Sequence, residues 1–200
     1  MPPKRSILIL FAHPALEKSR VNRKLVEAVA NLDGVTFHDL YETYPDFHID
    51  VRREQALLLQ HDLLVFQHPF YWYSAPALLK EWIDLVLEHG WAYDTKDMKL
   101  RGKEFLSAIT TGGRERAYQR NGYNHFTMKE LLAPFEQTAN TCAMTWLPPF
   151  IVHGTHQLDE AAIEVHGEDY RRILIALRKG PLDPQKTRGL ARLNEDPHAW

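Results

Sequence analysis

Apolar side chains along this chain follow two alternating patterns, and the alternation predicts the fold class. Ile7-Leu-Ile-Leu-Phe-Ala12 is a continuous apolar run that stops at His13-Pro14, as expected of a strand covered on both faces in a parallel sheet. Val21, Leu25, Val26, Ala28, Val29 and Leu32 then recur at helical spacing, with Ser19 as a cap and Asp33-Gly34 as a stop. Residues 35–40 read as a second strand, 41–50 with Pro45 as a loop, and 51–60 as a helix. A third apolar run, 63–66, breaks at His68-Pro69. Pro76 opens a helix with the stripe Leu78, Leu79, Trp82, Ile83, Val86 and Leu87, which Gly90 ends. After a polar stretch at 91–103, residues 105–109 form a fourth strand that feeds the turn Thr110-Thr-Gly-Gly113. Residues 127–138 read as helix despite Pro134, 143–152 as a fifth strand interrupted by Pro148-Pro149, and 159–177 as a last amphipathic helix. Strands alternating with helices define a doubly wound α/β fold, a five-stranded parallel sheet with helices on both faces. It occupies residues 1–180; residues 181–200 are charged, contain proline and lack an apolar period, so they read as a tail that is mobile or held by a partner.

Composition narrows the function classes. A chain of 200 residues with 44% hydrophobic side chains needs one core. A net charge of −2 leaves no basic excess for nucleic acid or anionic lipid, so a small molecule or a protein is the expected partner. Cys142 is the single cysteine, which removes any internal disulfide framework and suits a reducing compartment. The run at 7–12 is too short for a signal-peptide core, and no stretch reaches the roughly 18 apolar residues of a membrane span, so the chain reads as soluble and cytoplasmic. Eleven histidines invite a metal reading, but His153 and His156 fall in a loop and no Cys/His/carboxylate set has ligand spacing, so no metal is expected.

In an open α/β sheet, ligands bind beyond the carboxyl ends of the strands, so the loops after strands one, three and four should share one ligand. The first loop places His13, Ser19 and Asn22 around a helix start, where backbone N–H groups and the macrodipole favour a phosphate. Taken singly, Ser19 is a cap and His13 a strand-end histidine. The second loop carries Phe70, Tyr71, Trp72 and Tyr73 in a row, a platform for a flat ring; core filling explains Phe70 but not all four. The third, 110–118, combines hydroxyls, a phenol, and two glycines whose N–H groups can reach a heterocycle edge.

Longer motifs add a resemblance. Tyr44-Pro-Asp-Phe47, Glu54-Gln-Ala-Leu57, Val65-Phe-Gln-His-Pro69, Tyr73-Ser74, Pro76-Ala-Leu-Leu-Lys-Glu-Trp82, Ile109-Thr-Thr-Gly112 and Trp146-Leu-Pro-Pro149 together make the chain resemble the flavodoxin-like quinone reductase family. The likeness is greatest to the bacterial ancillary oxidoreductases of glutathione-gated potassium-efflux systems. It implies FMN, with FAD as the alternative, and NAD(P)H as co-substrate in a two-electron ping-pong transfer to a quinone-like acceptor. It also implies His13, Ser19, Arg20, Val21 and Asn22 around the flavin phosphate and ribityl chain, and Pro69, Phe70, Tyr71, Trp72 and Tyr73 along the ring. Thr110, Thr111, Gly112, Gly113 and Tyr118 are implied at the ring's carbonyl edge. Gly112 and Gly113 N–H and the Tyr118 hydroxyl are the candidates for stabilising charge there. Trp72, Tyr93, Asn124 and His125 are implied in the substrate pocket, with Tyr93 lent by the second subunit of a homodimer. The family's histidine in the 122–125 region falls by count on Asn124, with His125 one position later. Arg114-Glu115-Arg116 replaces smaller residues, which bears on acceptor access. The alternative role implied is a regulatory subunit that activates a potassium/proton antiporter, its redox activity secondary, held peripherally at the inner membrane by that protein partner. A one-electron flavodoxin-type carrier fits less well, since such carriers are strongly acidic and this chain is nearly neutral.

Overall fold

The computed structural model describes residues 4–187, 189–196 and 200. Five sheet positions lie in the order β2 (Val35–Asp39), β1 (Ile7–Phe11), β3 (Leu63–Pro69), β4 (Glu104–Thr110) and β5 (Thr145–Trp146), with every pairing parallel. β6 (Phe150–Val152) continues the fifth position, pairing β4 through Ala108, Ile109 and Thr110. Pro148-Pro149 supplies no N–H for the ladder, which is why the fifth strand comes in two pieces. This is the 2-1-3-4-5 order of a flavodoxin-like sheet, which reverses direction between β1 and β3 and leaves a crevice at their carboxyl ends.

β1, β3 and β4 are buried along their whole length, as their mainly apolar sequences require, with Gln67, His68, Glu104 and Ser107 as buried polar members. One face carries α1 (Arg20–Val29) and α7 (Glu160–Lys179), packed on Ile7, Ile9, Phe11, Val65, Leu106 and Ala108. The other carries α2 (Leu40–Thr43), α3 (Val51–Leu59), α4 (Ala77–Val86), α5 (Met128–Leu131) and α6 (Ala133–Thr141), packed on Leu8, Leu10, Phe66, Phe105 and Ile109. Beneath α4 lies the fully buried Glu54. Its carboxylate accepts from His38 Nε2 (2.9 Å), Tyr44 Oη (2.6 Å) and Trp82 Nε1 (2.8 Å). Burial alone would raise this carboxyl, but the three donors overcome it and hold it below the usual range.

Several boundaries differ from the sequence reading for local reasons. β3 runs on through His68 and Pro69, because the next donor, Phe70 N–H, reaches Thr110 O at 2.8 Å and no rung is lost. Asp39 ends β2 one residue early by capping α2, accepting from Tyr41 and Glu42 N–H, so the predicted loop begins with a helical turn. The helix expected over 127–138 divides at Leu132, since Pro134 cannot donate within it. A capping box between Thr127 and Glu130 starts the first piece.

Part of the segment expected to be a mobile or partner-held tail packs on the domain. α8 (Pro184–Thr187) is followed by Leu193, which is fully buried against the α1/α7 face. Leu193 N–H donates to Pro149 O (2.8 Å), and Asn194 bonds both Ile151 N (3.1 Å) and Ile151 O (2.9 Å). The chain thus covers the free edge of β6. Arg188 and residues 197–199, part of the same expectation, lie outside the described residues.

Candidate functional site

A cleft of about 330 Å³ opens at the carboxyl ends of β1, β3 and β4, where the order of strands reverses. One end is the start of α1. Ser19 is the N-cap: its Oγ accepts from Asn22 N (3.2 Å) and Asn22 Nδ2 (3.1 Å), while the amides of Arg20 and Val21 occupy the first turn, where a helix offers no acceptor. Asn22 Nδ2 also donates to Thr110 Oγ1 (3.0 Å), tying α1 to the end of β4. Both Asn22 protons are spent, and its Oδ1 is buried without a partner among the described residues. His13 Nδ1 accepts from Ala15 N–H (3.1 Å), and burial lowers its pKa; the ring is therefore neutral, with its proton on Nε2 as a donor. Lys18 and Arg20 line the same end. The Arg20 guanidinium is engaged by Glu160 (2.9 and 2.6 Å) and Leu158 O (3.2 Å).

Pro69, Phe70 and Tyr71 form one wall, with Tyr71 edge-on to His13 at 6.1 Å. Phe70 is buried, as core filling requires, whereas Tyr71 and Tyr73 are about half exposed and Trp72 is 93% exposed. Trp72 and Tyr73 both hold positive φ (48° and 63°), an uncommon conformation for aromatic residues that lifts the indole off the surface. Thr110 and Gly112 form the facing wall, joined by Thr155 and His156 from the loop after β6. At Gly112 a Cβ would lie 2.9 Å from His156 Nε2, and at Gly113 it would lie 2.9 Å from the Tyr118 hydroxyl; with glycine at both positions the two side chains approach the backbone closely, and a larger residue would displace them. Buried Thr111 donates from Oγ1 to Gly113 O (2.8 Å). Its hydroxyl also lies 3.3 Å from His153 Nδ1, and the His153 ring is 5.3 Å from Tyr118.

The cleft gathers His13, Ser19, Arg20, Val21, Asn22, Pro69, Phe70, Tyr71, Thr110 and Gly112. Trp72, Thr111, Gly113 and Tyr118 do not line it; Thr111 and Gly113 flank Gly112 in the chain, and the Tyr118 ring packs against Gly113. Tyr73, Asn124 and His125 line a neighbouring hollow with Tyr123 and Phe126, where the Tyr73 hydroxyl donates to Asn124 Oδ1 at 3.1 Å. Asn124, the position that counting favoured, is thus the one bonded to the aromatic loop. Tyr93 lines another hollow, between α4 and α6, and takes no part in the cleft of its own chain. Thr155 and His156 were missed as cleft residues: His156 was weighed as a metal ligand, and no local signal shows that β6 aims its loop back over Gly112. Among the described residues no group of His, Cys, Asp or Glu is arranged to hold a metal ion, and no helix is long and apolar enough to cross a membrane.

This sheet order and cleft define a flavodoxin-like α/β protein, and comparison with known proteins agrees. The chain belongs to the family described as flavodoxin-like fold, whose model matches residues 5–174. It is 46% identical to the glutathione-regulated potassium-efflux system ancillary protein KefG of Yersinia enterocolitica, over 86% of this chain and 93% of that protein. Among solved structures, the general stress protein 14 of Treponema denticola in complex with FMN is 40% identical, covering 86% of this chain and 99% of its own at TM-score 0.81. An NADPH-quinone reductase from P. pentosaceus is 36% identical, covering 84% and 96% at TM-score 0.77. A structure described as a thermophilic tryptophan halogenase from Streptomycin violaceusniger is 44% identical, covering 84% and 98% at TM-score 0.82, so likeness of this degree does not by itself set the reaction.

Proposed function

We propose that the chain binds FMN in this cleft and carries two electrons from NAD(P)H to a quinone or quinone-like acceptor. The observation that carries the reading is the convergence of the α1 start, the Pro69–Tyr71 wall and the Thr110–Gly112 turn on one crevice. The residues suit the group. First-turn amides, the Ser19 hydroxyl and Lys18 meet a phosphate. Asn22 Oδ1, without a partner among the described residues, is an acceptor for a ribityl hydroxyl, and His13 Nε2–H is a neutral donor to either. Arg20 contributes its backbone N–H, since its charge is held by Glu160. The chemistry a bound flavin supplies is hydride acceptance from a nicotinamide and two-electron delivery to an acceptor.

The chain's own residues bind, orient and stabilise. Phe70 and Tyr71 hold a flat ring from one side and exclude water. The Gly113 N–H and the hydroxyl of Tyr118, whose ring packs over the glycine, are the donors for negative charge at the ring's carbonyl edge. Exposed Trp72 forms the rim over which acceptor and nicotinamide enter, with Asn124 and His125 behind it. Tyr93 completes the pocket of a second copy in a homodimer. The test is optical: the purified protein with FMN should be yellow after dialysis, bleach with NADPH in air-free buffer and recover with a quinone. A colourless protein, with the fluorescence of the added FMN undiminished, rejects the reading.

The identity with the potassium-efflux ancillary protein favours a second role, as a soluble subunit that docks on a membrane potassium/proton antiporter and raises its flux. Ion flux through a candidate transporter, with and without this chain, decides it. No rise in flux would remove the role.

A further inference from the structure

Two features of the sequence have no part in the cleft: Arg114-Glu115-Arg116, in place of smaller residues, and the charged segment after α7. The structure joins them. The family match ends at residue 174, and the solved relatives are covered over 99% and 96% of their own length but 86% and 84% of this chain, so the segment beyond α7 lies outside the shared fold. It is nevertheless docked, by buried Leu193 and by the Asn194 pair on Ile151. From that anchored stretch Arg192 Nη1 reaches Glu115 Oε1 at 2.5 Å, across 77 positions of sequence. Arg192 is the first cause of the lowered Glu115 carboxyl pKa.

Glu115 opens the 3-10 turn Glu115–Ala117 that ends at Tyr118. Tyr118 N–H returns to Glu115 O (3.0 Å) and Ala117 N–H to Arg114 O (2.9 Å). Arg114, on the other side, bonds Gln157 in the loop that also carries His156. The start of the turn is therefore held by two side-chain bonds, at the adjacent residues Arg114 and Glu115, and the Tyr118 ring that follows lies against Gly113 and His153.

We propose that the C-terminal strap is a positioning device for the reactive edge of the cleft: Arg192, through its ion pair with Glu115, fixes the Tyr118 turn and thereby sets which acceptors reach the site. Arg192 and Glu115 are positioning residues, touching neither cofactor nor acceptor. The acceptor part of this inference rests on the flavin reductase reading; the structural part does not.

Charge reversal separates the two. In Arg192→Glu, amide hydrogen exchange in the peptide covering 114–118 should quicken about fivefold, as expected for a half-exposed pair, while the Ile151 amide held by Asn194 keeps its protection. The ratio of kcat/KM for a bulky quinone to that for a small one should rise about threefold in the same variant, the scale of a pair worth well under a full factor of ten. The double variant Glu115→Arg/Arg192→Glu should restore both. Unchanged exchange in the single reversal, or a double variant as loose as the single, overturns the inference. So does quickened and restored exchange at a constant acceptor ratio, since the turn would then not control access. A protein without flavin or reductase activity refutes the proposed function, and the exchange arm then decides whether the strap holds the turn.

Discussion

The two ends of the cleft are built to opposite rules. At the α1 end, His13 and Asn22 are buried, their hydrogen bonds run to Ala15, Ser19 and Thr110, and the backbone enters regular helix at Arg20. In the aromatic loop beyond Tyr71 and the neighbouring hollow it borders, Trp72 is almost wholly exposed, Trp72, Tyr73 and His125 hold positive φ, and the polar contacts lie at the surface. A rigid, desolvated wall supplies affinity, because its donors need no ordering when ligand arrives. A protruding aromatic turn adds little affinity for a buried tail but meets whatever approaches the ring. On the proposed flavin reading, the difference assigns retention of cofactor and choice of reaction partner to separate regions, and substitutions should divide along the same line.

The exposed end stands on a buried base, and breaking that base should have the largest effect. Glu54→Ala strands three buried donors, on His38, Tyr44 and Trp82, and should lower unfolding free energy by about 3 kcal/mol or more. Denaturant titration checks this through the midpoint at constant slope; a shift below about 1 kcal/mol would show the network to be incidental. Tyr118→Phe should slow flavin reduction by NAD(P)H about a hundredfold, by loss of one preorganised donor, with FMN affinity unchanged. Stopped-flow bleaching at the parent rate would remove Tyr118 from the mechanism.

Acid acts on the base as well. Burial lowers His68, from the 6.5 of an ordinary ring to about 4, and His153 likewise to about 4, where the Arg192 charge adds to burial. The unfolded chain takes up these protons first, so the stability from keeping the rings neutral is full above pH 6.5 and is lost as pH falls toward 4. His68 alone should cost about 2 kcal/mol between pH 7 and pH 5. Urea midpoints across that range measure it, and a His68→Gln variant with the same pH slope as the parent would refute the assignment.

Smaller effects sharpen the contrast between the ends. Asn22→Ala, which removes the link to Thr110 and the acceptor at Oδ1, should weaken FMN binding about tenfold. Trp72→Ala should alter FMN affinity and stability by no more than about 0.5 kcal/mol, as usual for an exposed side chain, while changing the KM for acceptor. If Trp72→Ala costs as much cofactor affinity as Asn22→Ala, the division between the ends is wrong.

How much of this was legible beforehand follows from the range of the forces involved. The apolar runs of β1, β3 and β4, the helical stripe of α4 and the loop-ending glycines and prolines are local signals. Sheet class and the three loops that meet at the cleft could therefore be read from order alone. Residue chemistry also allowed Phe70 a place in the core, which it has, but did not single out Trp72 as the exposed member of the run. The sequence by itself thus determined the alternation of elements and the residue types at the carboxyl edge, because periodicity and backbone stereochemistry act over a few residues. Tertiary structure alone decided that His156 covers Gly112, that Glu54 clamps α4 from below and that Arg192 crosses 77 positions to hold Glu115. Those contacts join elements distant along the chain, and their partners are chosen by packing, which no local pattern of residues encodes.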